Sequence, residues 1–254
     1  MALFAETTGS GKPLVLLHGW GMNAAVWQPL LPWLAGRWRV TAIELPGHGD
    51  SDDLAPGSTL DDWADACLQA APSRAVWMGW SLGAQVALQA ALAQPRRLAA
   101  LVMLAGTPCF VQRSDWPCGM AGEDLQQFAD ALITDPRQTL MRFLGLQMLG
   151  SQQPKESLRQ LKAAVSMRPE ASQQALLTGL QLLQLTDQRP RLPQLDVPSL
   201  WIHGERDRLV SPQTAACIGQ LLPGAEFTMI DGAGHAPFVS HPAQCMQALE
   251  SLDD

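Results

Sequence analysis

The chain has 254 residues, of which 47% are hydrophobic and 16% are charged, and its formal net charge is −7. This length and composition fit one globular domain with a large core and room for an inserted subdomain. The acidic balance argues against nucleic-acid binding, which needs a basic surface.

Cysteine usage and hydropathy indicate the cellular compartment. The five cysteines form no C-x-x-C pair and are odd in number, so we expect reduced thiols instead of a disulfide framework. Residues 1–6 have no basic region or long apolar run, unlike a signal peptide, and no apolar run approaches the roughly 20 residues of a membrane span. We therefore expect a cytoplasmic protein that does not bind membranes, and we expect a monomer.

Strand and helix patterns alternate through the first part of the chain. Short, mostly apolar runs that suit strands occur at 14–17, 40–44, 75–78 and 98–104. Helical patterns occur at 26–34, 60–68 and 84–92. Continuously apolar strands are typical of a parallel sheet that is buried on both faces. The alternation predicts an α/β fold, with a mostly parallel central sheet and helices on both faces.

The alternation stops after residue 107. Only helical patterns follow, at 124–133, 136–148, 157–165 and 171–185. Strand patterns resume at 199–203 and 226–230, and a helix is expected at 242–252. We predict a core made of residues 1–107 and 191–254, with residues 108–190 inserted as an all-helical lid. A separate helical domain is the weaker interpretation, because the sheet resumes afterwards.

The stretch Gly79-Trp80-Ser81-Leu82-Gly83 joins a predicted strand to a predicted helix and fits G-x-S-x-G. A serine at such a sharp turn exposes its hydroxyl at the top of the sheet. Glycines are expected at both ends because the strand and the helix pass too closely there for side chains. Ser81 is therefore the predicted nucleophile, although a pattern this short also occurs by chance.

A serine hydroxyl needs a base, usually histidine, which a carboxylate orients. On a fold with this elbow, the acid and then the base follow the serine along the chain. His235, in the loop after the last predicted strand, is the predicted base. Asp207, in the loop after the strand at 199–203, is the predicted acid, with Glu205 as its rival.

The other four histidines have simpler interpretations. We expect His18 in the oxyanion loop, a structural hydrogen bond from His48, a packed ring at His203, and a surface or capping position for His241. Arg206 and Arg208, on either side of Asp207, are expected to face solvent or to pair with surface acids.

The oxyanion that forms when Ser81 attacks a carbonyl needs preorganised donors. One predicted donor is the backbone N–H of Leu82, at the start of the elbow helix. The other is the N–H of Trp20, in the loop after the first central strand. The Trp20 indole either forms a wall of the acyl pocket or packs in the core.

Together these motifs resemble the α/β-hydrolase family, in its lipase and esterase branch. They are His18-Gly19, Pro46-Gly47-His48-Gly49, the elbow at 79–83, Asp207 and Gly234-His235. Such motifs are specific for fold and triad but poor guides to the substrate.

Longer stretches resemble the pimeloyl-[acyl-carrier protein] methyl ester esterase family of biotin synthesis. They are LLHGWG at 16–21, WMGWSLG at 77–83, PCF at 108–110, DWP at 115–117, RFLGLQ at 142–147 and HAPFVSHP at 235–242. The resemblance implies hydrolysis of a methyl ester on a pimeloyl chain that acyl carrier protein carries. The substrate-binding residues that it implies are Trp20, Leu82, Phe143 and Gln147.

Two features qualify those implied contacts. Phe143 and Gln147 are four residues apart, so they share a helix face, and ordinary lid packing would explain them equally well. Gly145, between them, weakens the predicted helix.

Charge distribution adds a partner to this interpretation. Residues 136–168 carry six basic side chains and one acid, a net charge of +5, which leaves −12 for the rest of the chain. A basic patch on an acidic protein suits an acidic partner such as acyl carrier protein, although a solvated helix face would carry the same charges. The predicted carrier contacts are Arg137, Arg142, Lys155, Arg159 and Lys162.

The predicted chemistry is a two-step acyl transfer without a metal or organic cofactor. Serine at the elbow argues against dehalogenases and epoxide hydrolases, which use a carboxylate nucleophile. Three alternatives stay open: a generic short-chain carboxylesterase without a protein partner, a lyase that breaks C–C bonds with the same triad, and a catalytically inactive binding protein.

Overall fold

One seven-stranded sheet organises the protein, and the computed structural model describes residues 2–151 and 153–252. The strands are β1 Ala5–Thr8, β2 Lys12–Leu17, β3 Trp38–Ile43, β4 Ala75–Trp80, β5 Leu98–Leu104, β6 Ser199–Gly204 and β7 Glu226–Ile230. Their order across the sheet is β1-β3-β2-β4-β5-β6-β7. Only β1 pairs antiparallel with its neighbour. The prediction of an α/β fold with a mostly parallel sheet is confirmed.

Helices cover the sheet and fill the segment between β5 and β6. They are α1 Leu31–Ala35, α2 Leu60–Ala70, α3 Leu82–Ala93, α4 Gly122–Thr134, α5 Pro136–Gln147, α6 Pro154–Val165, α7 Gln173–Leu185, α8 Thr214–Leu221, α9 Pro237–Ser240 and α10 Pro242–Leu249. Thr59 caps α2 as expected, in a reciprocal capping box with Asp62. Within the described ranges, none of these helices has the length and apolar character needed to cross a bilayer.

Two expectations about secondary structure were wrong. The helix expected at 26–34 is a 3-10 turn, Ala24–Trp27, followed by the short α1, because Pro29 lacks a backbone N–H and separates the two. The helix expected at 242–252 ends at Leu249 and continues only as a 3-10 turn. Neither β1 nor α8 was predicted.

Helices α4 to α7 form the inserted segment, and α6 packs on α9 and on the 3-10 turn Ala24–Trp27 of the core. α4 contacts α5 and α7, and α5 contacts α6. Gly145 does not interrupt α5, which runs on to Gln147. The assignment of residues 108–190 as a lid stays a prediction at this point.

Arg168, just after α6, ties the inserted segment to the core. Its guanidinium lies 2.6 Å from the Glu6 carboxylate, 3.1 Å from that of Asp50 and 3.9 Å from that of Glu44. It also stacks over the ring of Phe4, 4.5 Å from the centroid. The Glu44 side chain is fully buried, and burial raises its pKa. Arg168 therefore holds the inserted segment to the core through ion pairs, and it contributes less to an outward basic surface than the sequence count suggests.

Candidate active site

Ser81 lies at a strained turn between β4 and α3. Its φ of 55° is in the left-handed region, which costs a non-glycine residue about 1–3 kcal/mol and is common at functional sites. A Cβ on Gly79 would overlap the carbonyl of Gly83. A Cβ on Gly83 would overlap the carbonyls of Leu17 and His18. The two glycines thus let the strand, the helix and the neighbouring strand approach closely enough to form this turn.

The three residues predicted as a triad are in hydrogen-bond contact. Ser81 Oγ lies 3.0 Å from His235 Nε2, and His235 Nδ1 lies 2.8 Å from Asp207 Oδ2. The other carboxylate oxygen of Asp207 accepts the backbone N–H groups of Leu209 and Val210 at 2.8 and 3.0 Å. All three side chains are buried, and Ser81 is only 7% exposed. The carboxylate is therefore fixed and can orient the imidazole toward the hydroxyl.

The rival acid, Glu205, points elsewhere. Its carboxylate accepts the backbone N–H of Gly232 at 2.8 Å and lies 3.5 Å from the guanidinium of Arg206. The Glu205 side chain is 51% exposed. The structure therefore places Asp207, and not Glu205, against the imidazole of His235.

Of the two predicted oxyanion donors, Leu82 is next to Ser81 in the chain, and Trp20 lies near Leu82 in space. Leu82 is the first residue of α3, directly after Ser81. The side chains of Trp20 and Leu82 both lie beside Gly179 of α7. Among the described residues, neither backbone amide has a hydrogen-bond acceptor in the protein. Both N–H groups are therefore unused by the fold, as donors to a transition-state oxyanion must be.

The Trp20 indole packs between the core and the inserted helices. Its Nε1–H donates to the Leu176 carbonyl at 2.8 Å. Its ring meets Phe143 edge-on, with centroids 4.8 Å apart, and Phe143 meets Phe128 in the same way at 5.7 Å. Trp20 and Phe143 are fully buried. The ring of Phe143, on α5, thus packs between Trp20 and the Phe128 ring of α4.

Gln147, at the end of α5, contacts the loop of the base directly. Its backbone carbonyl accepts the N–H of His235 at 3.1 Å. Its side chain is 2% exposed, and the side-chain oxygen has no hydrogen-bond partner among the described residues. A buried, unpaired amide oxygen costs free energy and is suited to a donor on a ligand.

Comparison with known proteins identifies the family. Residues 12–242 match the alpha/beta hydrolase fold family. The pimeloyl-[acyl-carrier protein] methyl ester esterase of Methylococcus capsulatus is 44% identical over 241 residues, which cover 95% of this chain and 94% of that protein. The protein of the same name from Edwardsiella ictaluri is 43% identical over 254 residues, which cover 100% and 98%. The chain belongs to the pimeloyl-[acyl-carrier protein] methyl ester esterase family.

Solved structures share the fold of this esterase-family member at lower identity. An esterase from Exiguobacterium antarcticum superposes with a TM-score of 0.88 at 22% identity, covering 99% of this chain and 95% of that one. A bromoperoxidase from Bacillus anthracis gives 0.89 at 24%, with the same coverage. Since two different activities match equally well, this likeness shows the fold alone.

The five basic residues predicted to contact the carrier lie on two helices that pack together. Arg137 and Arg142 are on α5, and Lys155, Arg159 and Lys162 are on α6. All five side chains are exposed. Two have acidic neighbours: Arg137 lies 3.8 Å from Glu170, and Arg159 binds both oxygens of Glu156.

A cavity of about 440 Å³ lies between α4, α5 and the loop that carries Asp207. Its lining includes Phe128, Thr139, Arg142, Leu146, Arg208 and Leu209. It lies beside Asp207, because Arg208 and Leu209 follow Asp207 in the chain and Leu209 donates its backbone N–H to that carboxylate. Arg208, expected at the sequence level only to face solvent or a surface acid, is thus part of a cavity wall.

Three further histidines are buried and neutral. His18 Nε2 accepts the backbone N–H of Leu45, and His48 Nε2 accepts that of Gly21. Burial lowers the pKa of His18 to about 3 and that of His48 to about 4. Burial also lowers the pKa of His203 to about 4; its ring lies within the field of Asp207 and His235. In the described residues, no three His, Cys, Asp or Glu side chains are grouped to hold a metal.

These histidines should make the fold acid-sensitive. Their pKa values are about 6.5 in the unfolded chain and about 3 to 4 in the folded one. Between these values the unfolded state binds more protons, so stability falls as the pH falls below 6.5. We expect a loss of about 1–2 kcal/mol per histidine at pH 5, measured by urea unfolding at pH 7 and pH 5. His48→Gln should reduce the number of protons taken up on unfolding by about one. Equal stability of the wild-type protein at both pH values would contradict the prediction.

Proposed function

We propose that this protein hydrolyses the methyl ester of a pimeloyl chain held on acyl carrier protein, and so frees the pimeloyl carboxylate for biotin synthesis. The observation that carries the proposal is the hydrogen-bonded set Ser81, His235 and Asp207. It occurs in a chain that is 44% and 43% identical, over nearly its whole length, to proteins named for this reaction.

The proposed reaction proceeds through an acyl-enzyme. His235 takes the proton of Ser81 while the hydroxyl attacks the ester carbonyl, and it then protonates the departing methanol. Water, activated by His235, releases the acid, and Asp207 holds the imidazole throughout. The amides of Leu82 and Trp20 stabilise the oxyanion, where one lost donor typically costs about 10²–10³ in rate.

The exposed basic residues of α5 and α6 are the proposed docking surface for the carrier. Arg168 is paired with acids of the core, and residues 136–167 carry five basic side chains against one acid, a net charge of +4 that favours an acidic partner. The cavity beside Asp207 combines apolar side chains with two basic residues, Arg142 and Arg208, and one acid, Asp124. This combination fits an acyl chain on a phosphate-bearing arm, with Phe143 and Gln147 near its reactive end.

We also propose that residues 108–190 act as a lid, that a monomer is the active unit, and that it meets the carrier in the cytoplasm. Support for the lid is that Ser81 is buried and that Gly179 of the inserted helix α7 lies against Trp20 and Leu82. Support for the monomer is that the nucleophile, base, acid and both oxyanion amides come from one chain.

Charge reversal separates this proposal from a generic carboxylesterase. The combined variant Lys155→Glu, Arg159→Glu and Lys162→Glu should lower kcat/KM for the carrier-bound methyl ester about 100-fold. Hydrolysis of dimethyl pimelate, which needs no docking surface, should be unchanged. Both substrates can be followed by the release of methanol.

The matched control reverses three exposed arginines at the amino ends of the strands, opposite the elbow: Arg39→Glu, Arg74→Glu and Arg96→Glu. This control should leave both reactions unchanged. An equal loss in both triple variants, or no loss in either, would remove the argument for a docking surface and favour an esterase without a protein partner.

A further inference from the structure

Trp80, the variable residue before Ser81 in the elbow motif, binds the loop of the base. Its indole Nε1–H donates to the backbone carbonyl of His235 at 2.8 Å. The Trp80 ring is fully buried; it lies 5.9 Å from the imidazole and meets Phe238 edge-on at 5.0 Å. The bond joins residues 155 positions apart, so it connects the strand of the nucleophile to the loop of the base.

The peptide of His235 is therefore held on both sides. Trp80 binds its carbonyl from the sheet, and the Gln147 carbonyl accepts its N–H from the end of α5. With the backbone fixed, the imidazole reaches Asp207 and Ser81 at 2.8 and 3.0 Å. A small displacement of this peptide would lengthen both of those contacts, and a misplacement of about 1 Å can cost 10²-fold in rate.

We propose that Trp80 is a positioning residue for the catalytic base, which acts by holding the His235 carbonyl through its indole N–H. The inference rests on the proposed function, since it assumes that His235 acts on Ser81. The turn itself requires only glycines at 79 and 83, so the geometry of the elbow does not explain a tryptophan here.

A second tryptophan on the same strand offers a matched control. Trp77 is also fully buried on β4, but its indole N–H has no hydrogen-bond partner among the described residues. Replacement by phenylalanine removes an indole from the core in either case. Only Trp80→Phe also removes a hydrogen bond to the base.

The test compares Trp80→Phe with Trp77→Phe on p-nitrophenyl acetate, which needs no carrier. We expect kcat of Trp80→Phe to fall about 10- to 100-fold with KM changed less than about threefold, and Trp77→Phe to stay within about twofold of wild type. Thermal unfolding should show similar destabilisation in both. Equal kcat values in the two folded variants would overturn the positioning role. An inactive wild type would instead contradict the proposed function.

If Trp80→Phe does not fold, wild-type protein labelled with ¹⁵N at the indole provides the test. The Trp80 N–H should resist deuterium exchange, and its resonance should shift when a fluorophosphonate labels Ser81. A Trp80 N–H that exchanges rapidly and does not respond to labelling would overturn the proposal.

An independent observation concerns two thiols. Cys118 lies between β5 and α4, and Cys217 lies on α8, with their sulfur atoms 3.1 Å apart. Cys118 is buried, whereas Cys217 is half-buried and lines a surface cavity of about 470 Å³. Burial raises the pKa of Cys118 to about 12. Cys217 is therefore the thiol that a reagent reaches first.

We infer that Cys118 and Cys217 are a disulfide site, which closes on exposure to a small-molecule disulfide such as oxidised glutathione. The Cys217 thiolate attacks one glutathione sulfur and releases glutathione thiolate. Cys118 then loses its proton to solvent, and its sulfur displaces the second glutathione. The two electrons end on two glutathione thiols, and the new bond joins the start of the inserted segment to α8.

Treatment with oxidised glutathione should lower the titratable thiols of unfolded protein from five to three and link the peptides that contain Cys118 and Cys217. The unfolding temperature should rise by several degrees, because the bond closes a long loop. Cys217→Ser should abolish the link, and Cys109→Ser should retain it. Five remaining thiols, or a stable glutathione adduct on Cys217 without the link, would overturn this inference.

Discussion

Ser81→Ala should lower kcat for every ester substrate by about 10⁶-fold, the loss typical of a serine hydrolase without its nucleophile. The physical reason is that, among the described residues, Ser81 Oγ is the group in contact with His235 Nε2 that can form an acyl-enzyme. The measurement is hydrolysis of p-nitrophenyl acetate and of dimethyl pimelate, together with labelling by a fluorophosphonate probe.

Two further variants serve as comparisons for Ser81→Ala. Ser10→Ala, at an exposed position, should retain full activity and labelling. Asp207→Asn should lose about 10⁴-fold, since the amide favours the wrong imidazole tautomer. Residual Ser81→Ala activity within tenfold of wild type would show that another residue is the nucleophile.

Gly83→Ala should prevent folding, or destabilise the protein by more than about 4 kcal/mol, the range reserved for severe steric conflicts. The added Cβ would overlap the carbonyls of Leu17 and His18. Leu17 is the last residue of β2, which is hydrogen-bonded between β3 and β4, and His18 follows it directly, so the backbone there has no room to shift. The measurement is the soluble yield and the free energy of unfolding in urea.

Gly145→Ala is the matched control for this prediction. Gly145 lies in α5, and nothing is within 4 Å of the position of an added Cβ. Alanine is the better helix former, so this variant should gain about 0.5–1 kcal/mol. Equal stability of Gly83→Ala and Gly145→Ala would show that the close approach at the elbow is not a constraint on the fold.

Sequence alone predicted which side chains meet at the triad. Ser81, Asp207 and His235 each follow a strand of apolar residues, and the carboxyl ends of parallel strands share one edge of the sheet. Chain order on this fold then gives each residue its chemical role. Distances and burial are what the structure adds, including the choice of Asp207 over Glu205.

Other features leave no signal in local sequence. β1 is a polar, largely exposed edge strand, so it lacks the apolar run by which buried strands are found. In α8, small residues such as Ala215, Ala216 and Gly219 give only a weak helical pattern. The contacts of Arg168 with Glu6 and of Trp80 with His235 span more than 150 residues. Such pairs depend on tertiary packing and cannot be derived from spacing.

Fold likeness cannot choose the substrate. An esterase and a bromoperoxidase superpose on this chain with nearly the same TM-score, because the sheet and elbow are common to many activities. The residues that we propose to determine the substrate lie instead on the inserted helices, where Phe143 covers Trp20 and Gln147 binds the loop of His235. Assignment of the reaction therefore needs the carrier-bound substrate itself.

The decisive measurement is the intact mass of acyl carrier protein that carries a pimeloyl methyl ester, before and after incubation with the wild-type enzyme. We predict that the carrier loses one methylene unit as the ester becomes the acid, that its thioester stays intact, and that Ser81→Ala produces no change. Release of the free carrier thiol, or an unchanged carrier with wild-type enzyme that hydrolyses p-nitrophenyl acetate, would contradict the proposed function.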